Sequence, residues 1–278
     1  MPTFPTPEPI SATVEFDMGS ARITASKRTD TVVEVLPADV TDELDVRAAQ
    51  RTSVTCADGR LLVKGPKERS LFGRSGSIEV VVELPAGSDV RAGTPVADFT
   101  CVGPLGACRF KTSVGVIRID IAESLYARTD HGAIQIGHVA GDAEVSGAGR
   151  IEIGTVGGTA AVKNANGETT IGEVAGDLRI TSSNGRIDVG LAHSGVDAKC
   201  ANGAIRIDEV ARGQVHLRTG AGDLEVGIRE STAAWLDVQT RMGSVRNTLG
   251  VTESPDRTEE TVEVRARTAL GHIVIRRA

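Results

Sequence analysis

A basic side chain returns at nearly constant intervals along this sequence. Lys111, Arg128, Lys163, Lys199 and Arg218 hold the same place in successive copies of a short repeat, while Ser146, Thr181 and Gln239 fill it in the other copies. No acidic residue takes that place. Equivalent positions of stacked repeats project in a row, so these cations can form a positive stripe for an anionic polymer or an acidic protein partner. Glu144, Arg179, Asp197 and Asp237 lie beside the row. The competing expectation is that they neutralise it and leave an ordinary solvated sheet.

Other chemistry is sparse. His131, His138, His193, His216 and His272 fall at turns or outward positions, without metal-ligand spacing to a Cys or Glu, and read as solvated. A coil of about eighteen residues is also the geometry of a calcium-binding β-roll, but the Gly-Gly-x-Gly-x-Asp pattern is absent and Asp177 and Asp223 stand alone. The expectation is no metal and no cofactor. Cys56, Cys101, Cys108 and Cys200 lack Cys-x-x-Cys spacing and read as reduced core residues. Cys101 and Cys108 would face each other across one coil, so a disulfide under oxidation is the alternative. No Gly-x-Ser-x-Gly elbow, Walker loop or His-Glu-x-x-His is present. Carboxylates such as Glu152 and Asp188 recur because outward strand positions are polar, whereas a glycan-cleaving enzyme would group its acids on one face. No catalytic residue, and no enzyme, is expected.

The row is positioned by a glycine that opens each repeat: Gly115, Gly132, Gly149, Gly167, Gly185, Gly203, Gly222, Gly243 and Gly271, spaced 17, 17, 18, 18, 18, 19, 21 and 28 residues apart. Alternation then assigns faces. One wall receives Ile117/Ile119, Ile134/Ile136, Ile151/Ile153, Thr169/Ile171, Ile187/Val189, Ile205/Ile207 and Leu224/Val226. The other receives Ala143/Val145, Ala160/Val162, Leu178/Ile180, Val196/Ala198, Val215/Leu217 and Leu236/Val238. The pattern predicts an all-β chain built as a parallel β-solenoid, two short strands per roughly 18-residue coil, each coil adding about 4.8 Å. An upstream coil is expected with Ala97 at the glycine position and Phe99 and Cys101 inward. Asn166-Gly167, Asn184-Gly185 and Asn202-Gly203 suit tight turns and could stack as an asparagine ladder. The spacing widens after Gly222, and Trp235 lies in that irregular C-terminal end.

Residues 1–87 read as a mostly β N-terminal region and 88–278 as the repeats. Within the first, 12–17, 21–25, 31–36, 60–64 and 77–84 alternate as strands, 42–50 is the only plausible helix, and a mobile loop is expected near 65–76. Aromatics make up only 3% of the 278 residues, so the core must be aliphatic. The net charge of -6, with both signs mixed, argues against a nucleic-acid partner. The first residues show no export signal or membrane span, which makes the cytoplasm the expected location.

The VELPAGSDV segment, followed by tandem copies such as TSSNGRIDV and KCANGAIRID with VAGDLRI-type bends, resembles a bacterial β-strand-repeat family labelled "putative adhesin". The resemblance covers roughly residues 10–278, implies a β-solenoid, and supplies no activity or site. The expected role is a non-enzymatic binding or scaffolding module. The alternative is a self-associating, cytoskeleton-like element joined through the solenoid ends, and a carbohydrate-active enzyme comes last.

Overall fold

Gly185 opens a coil whose next residues bury and expose in turn: Ile187 and Val189 are inside, while Arg186 is exposed. In the computed structural model, which describes residues 1–66, 75–250 and 260–278, strand Ile187–Ala192 lies parallel between Thr169–Val174 and Ile205–Val210. Ile187 therefore stacks between Thr169 and Ile205, and Val189 between Ile171 and Ile207. The return strand Val196–Asn202 does the same between Leu178–Asn184 and Gly213–Ala221. Each fully buried Ile or Val contributes about 1.5–3 kcal/mol, so like residues in like positions make every coil's stability depend on its neighbours. The chain is a nearly all-β parallel solenoid, as the repeats predict.

Two inward columns lie beyond the two-residue alternation. After Val189 the strand bends at Gly190, and Ala192 returns to the core in line with Val174 and Val210. On the return strand the third inward residue is polar: Asn164, Ser182, Cys200, Thr219 and Thr268 are all buried. Their donors are used on backbone. Asn164 Nδ2 donates to Gly149 O at 2.9 Å, Thr219 Oγ1 to Gly203 O at 2.9 Å and Thr268 Oγ1 to Gly222 O at 3.0 Å. Asn164, Cys200 and Thr219 thus tie their return strands to the turn glycine that opens their own coil, whereas Ser182 Oγ donates to Asn184 O at 3.3 Å and Asn164 Oδ1 is left without a partner.

The turn glycines themselves form a column. Gly185 has φ +117°, and a Cβ built on it would stand 2.1 Å from Gly167 O. Gly203, at φ +155°, would meet Gly185 O at 2.1 Å. Glycine is required twice over, by backbone conformation and by the carbonyl of the coil beneath. Beside this column the asparagines do form a ladder, Asn202 Nδ2 donating to Asn184 Oδ1 at 3.0 Å and Asn184 Nδ2 to Asn166 Oδ1 at 2.8 Å.

Residues Met1–Ala140 and Gly141–Ala278 form two compact units. In the second, the coils do not stack in chain order. Strand Glu260–Leu270 pairs with Gly213–Ala221 on one side and Thr232–Met242 on the other, and Ile273–Arg277 likewise sits between Leu224–Ile228 and Val245–Asn247. The last coil in sequence is threaded between the two before it. Leu236 and Val238, expected in the core, are only half-buried, because Thr232–Met242 has one partner strand among the described residues.

The first unit is threaded at its other terminus. Ser11–Glu15 lies between Arg60–Lys64 and Asp89–Val114, and Met18–Ser26 between Ser77–Pro85 and Asp89–Val114, all parallel. Gly19 and Ala97 are register partners, and Phe99 and Cys101 are buried as the upstream coil requires. Phe99 packs against Phe16 and Phe110, at centroid distances of 6.5 and 5.3 Å. Antiparallel strands Asp30–Pro37 and Ser53–Ala57 lie along Ser77–Pro85 and Arg60–Lys64. The helix is Glu43–Arg51, capped by Asp42, whose side chain accepts from Leu44 N at 2.8 Å. Asp45 on that helix accepts from Ser77 N at 2.7 Å and Asp39 N at 3.0 Å, which fastens it to the strand start. Most of the loop expected near 65–76 lies outside the described residues. No described helix is long and apolar enough to cross a membrane.

Gly185→Ala should lower unfolding free energy by at least about 2 kcal/mol, since the substitution adds both backbone strain and a backbone clash. Gly93→Ala is the control: nothing lies within 4 Å of its would-be Cβ, and its change should stay within about 0.5 kcal/mol. Urea denaturation of both variants checks this; equal midpoints would sink the stacking argument.

Candidate functional site

The return strands set the basic row. In the second unit the register runs Ser146, Lys163, Thr181, Lys199, Arg218, and then Arg267 before Gln239. Threading inserts Arg267, so three cations, Lys199, Arg218 and Arg267, occupy consecutive strands about 4.8 Å apart. The sequence reading passed over Arg267, although it stands four residues before Gly271 just as Lys199 and Arg218 stand four before Gly203 and Gly222. Arg241, two residues beyond Gln239, adds a fourth cation to the same groove. That groove has a volume of about 790 Å³, and its track between the cations and the turn is made of small residues, Ala201, Gly220 and Ala269. The other two candidates, Lys111 and Arg128, are register partners in the first unit.

Neutralisation of the row is partial. Lys199 Nζ pairs with Asp197 at 3.0 Å and Arg267 with Asp237 at 3.3 Å, as two of the flanking acids were expected to do. Arg128 pairs with Asp130 at 3.0 Å, and that hydrogen bond raises its pKa further above the ordinary guanidinium value. Lys111 instead lies 5.3 Å from the Tyr126 ring, which Arg109 also covers at 4.1 Å. Lys163, Arg218 and Arg241 make no ion pair among the described residues. On exposed strands such pairs contribute little, so the paired cations stay available to a stronger anion.

Several titratable groups away from the row have local partners. Arg150 and Arg186 hold Glu152 and Asp188 at 2.5 and 2.7 Å. Asp177 Oδ1 accepts from Ser194 Oγ at 2.6 Å and Gly195 N at 3.1 Å, and Asp223 Oδ1 from His272 N at 2.7 Å. Asp142 plays the same part toward Thr159 N at 2.7 Å, and that bond with the Thr159 hydroxyl holds its carboxyl below the ordinary 3.8. These aspartates staple the bend of one coil to the next. His193 bonds Glu173 at 2.7 Å and His272 bonds Ser244 at 2.8 Å. His216 departs from the solvated reading: its Nε2 is buried without a hydrogen-bond partner, beside its register neighbour Asp197, whose Oδ1 is likewise buried and unpartnered.

Cys101 and Cys108 are both buried free thiols; burial pushes Cys101 well above the ordinary thiol value, and the neighbouring Cys108 adds to that shift. Burial pushes Cys108 up to about 12, helped by the negative field of Asp89. Cys200 is buried as well, its Sγ 3.5 Å from Gly185 O, and Cys56 is only half-buried.

No protein-family model matches the chain, and no curated protein matches it. Crystal structures similar to it include a "putative cell adhesion protein" from Clostridium sporogenes ATCC 15579, at 12% identity and TM-score 0.27, covering 100% of this chain and 98% of that one. A "putative adhesin" from Bacteroides fragilis NCTC 9343 has 12% identity and TM-score 0.37, covering 99% and 95%. A "putative adhesin" from Parabacteroides distasonis ATCC 8503 has 12% identity and TM-score 0.31, covering 98% and 95%. The adhesin label of the repeat family recurs among these names.

Reactivity of the thiols should follow burial. With a pKa of about 12, Cys108 is ionised in about one molecule in ten thousand at pH 8. A thiol reagent at pH 8 should label Cys56 first and reach Cys101 and Cys108 only in denaturant, as mass spectrometry of labelled peptides would show. Prompt labelling of Cys108 in the folded protein would contradict its placement.

Proposed function

We propose that this protein is a non-enzymatic binding module that engages an acidic partner through the return-strand face of its C-terminal unit. The observation that carries the reading is the consecutive register of Lys199, Arg218 and Arg267, with Arg218 free of any described carboxylate. The sheet fixes the backbone spacing of these cations before the ligand arrives, so the ordering cost on binding is confined to their side chains. Opposite charges on the two partners also speed their encounter at low salt.

A second reading, self-association through a solenoid end, is favoured by strand Thr232–Met242. Among the described residues it is paired along one edge only, and Trp235 and Met242 are 56% and 68% exposed. Unpaired edges with apolar side chains invite strand addition.

Titration calorimetry at low salt with polyglutamate, a polyuronate and polyphosphate tests the first reading. At least one should bind the wild type, and the triple variant Lys199→Glu, Arg218→Glu, Arg267→Glu should lose at least tenfold in affinity. Binding of none, or equal binding by the variant, would overturn it. For the second reading, sedimentation velocity should show mass rising with concentration in the wild type and falling back in Trp235→Lys; a constant monomer at high concentration would remove it.

A further inference from the structure

The threaded coil makes the face more selective than a patch of positive charge. We propose that the groove along Lys199, Arg218 and Arg267 binds a linear polyuronate, a chain of pyranose units bearing carboxylates, lying across the strands. This rests on the reading above and names the ligand class for the same face.

Pitch is the first argument. The cations repeat at about 4.8 Å, one per coil, along a straight column fixed by parallel pairing. A pyranose chain advances by a comparable distance per ring, so its carboxylates fall in step with the column at one per coil or one per two coils. An extended acidic peptide presents alternate side chains about 7 Å apart on one face and falls out of step. A single-stranded nucleic acid needs aromatic platforms for its bases, and the residues lining the groove include none.

The shape of the track is the second. Ala201, Gly220 and Ala269 leave a shallow channel between the cation column and the glycine turns, with Arg241 at its end. A flat sugar ring can lie on these small residues while its carboxylate reaches Arg218 or Arg267, whose planar guanidinium groups match a carboxylate in two-point geometry.

Calorimetry with an oligogalacturonate of about ten units tests the proposal, against the same oligomer fully methyl-esterified and against polyglutamate. The acid oligomer should bind, weaken as salt rises, and bind at least tenfold more weakly to Arg218→Glu and to Arg267→Glu. Arg206→Glu, on the opposite wall, should leave its affinity within twofold, and matched thermal melts should show each variant folded. If polyglutamate binds as tightly as the acid oligomer, or the methyl ester does, the polyuronate assignment falls while the acidic-partner reading stands. If neither polymer binds and polyphosphate does not, both fall.

Discussion

Parallel backbone pairing between coils, at a distance too short for a side chain at the turn, is the constraint on which the rest of this structure depends. A carbonyl from one turn points at the glycine of the next, with no room between them for a Cβ. That closeness keeps the coils in register over successive copies. Registration in turn aligns Ile over Ile, Asn over Asn and cation over cation. The aliphatic columns contribute the larger share of the stability, because non-directional burial scales with area. They do not by themselves choose the register; a slip by one residue is forbidden by alternation, and a slip by two would place a glycine carbonyl against a substituted Cα.

Polar contacts refine the same constraint. Within a coil, hydroxyl, amide and thiol side chains of the third inward position are positioned at turn carbonyls, and aspartates at the bends accept amide hydrogens from the adjacent coil. Each bond adds on the order of 1 kcal/mol, but an unmade one would cost more, since these groups are shielded from water. Thr, Ser, Asn and Cys therefore interchange at the inward position, being similar in size and able to donate. Tolerance of that kind lets copies diverge in sequence while the column persists.

Much of this was legible in the residues. The glycine period, the two aliphatic walls, the Ala97 coil and the asparagine ladder all follow from local pattern, because each is set by residues within one coil or by its simple repetition. The third aliphatic column escaped because the bend at Gly190 breaks alternation between Val189 and Ala192. The hydrogen-bonding column escaped because Ser182 and Thr219 resemble any polar strand residue until their backbone acceptors are placed. Stacking order was the deeper omission. Any coil presents nearly the same edges to any other, so parallel pairing carries no local mark of which neighbour it meets. The long spacing before Gly271 showed an excursion, but nothing in its residues said that Glu260–Leu270 returns between Gly213–Ala221 and Thr232–Met242.

That return has a consequence for charge as well as for topology. Had the coils followed chain order, Arg218 would adjoin Gln239, and the row would end in a neutral residue. Threading brings Arg267 against Arg218 instead and places two guanidinium groups on adjacent strands. Like charges so close oppose pairing by a few tenths of a kcal/mol, and a sequence selected only for folding has no need to accept that cost. Asp237 relieves part of it by pairing with Arg267, yet Arg218 is left without a described carboxylate. Local charge and global fold are thus in mild conflict at the one place where the groove is most basic, and such conflicts are expected at functional or strained positions, not at positions selected for packing alone.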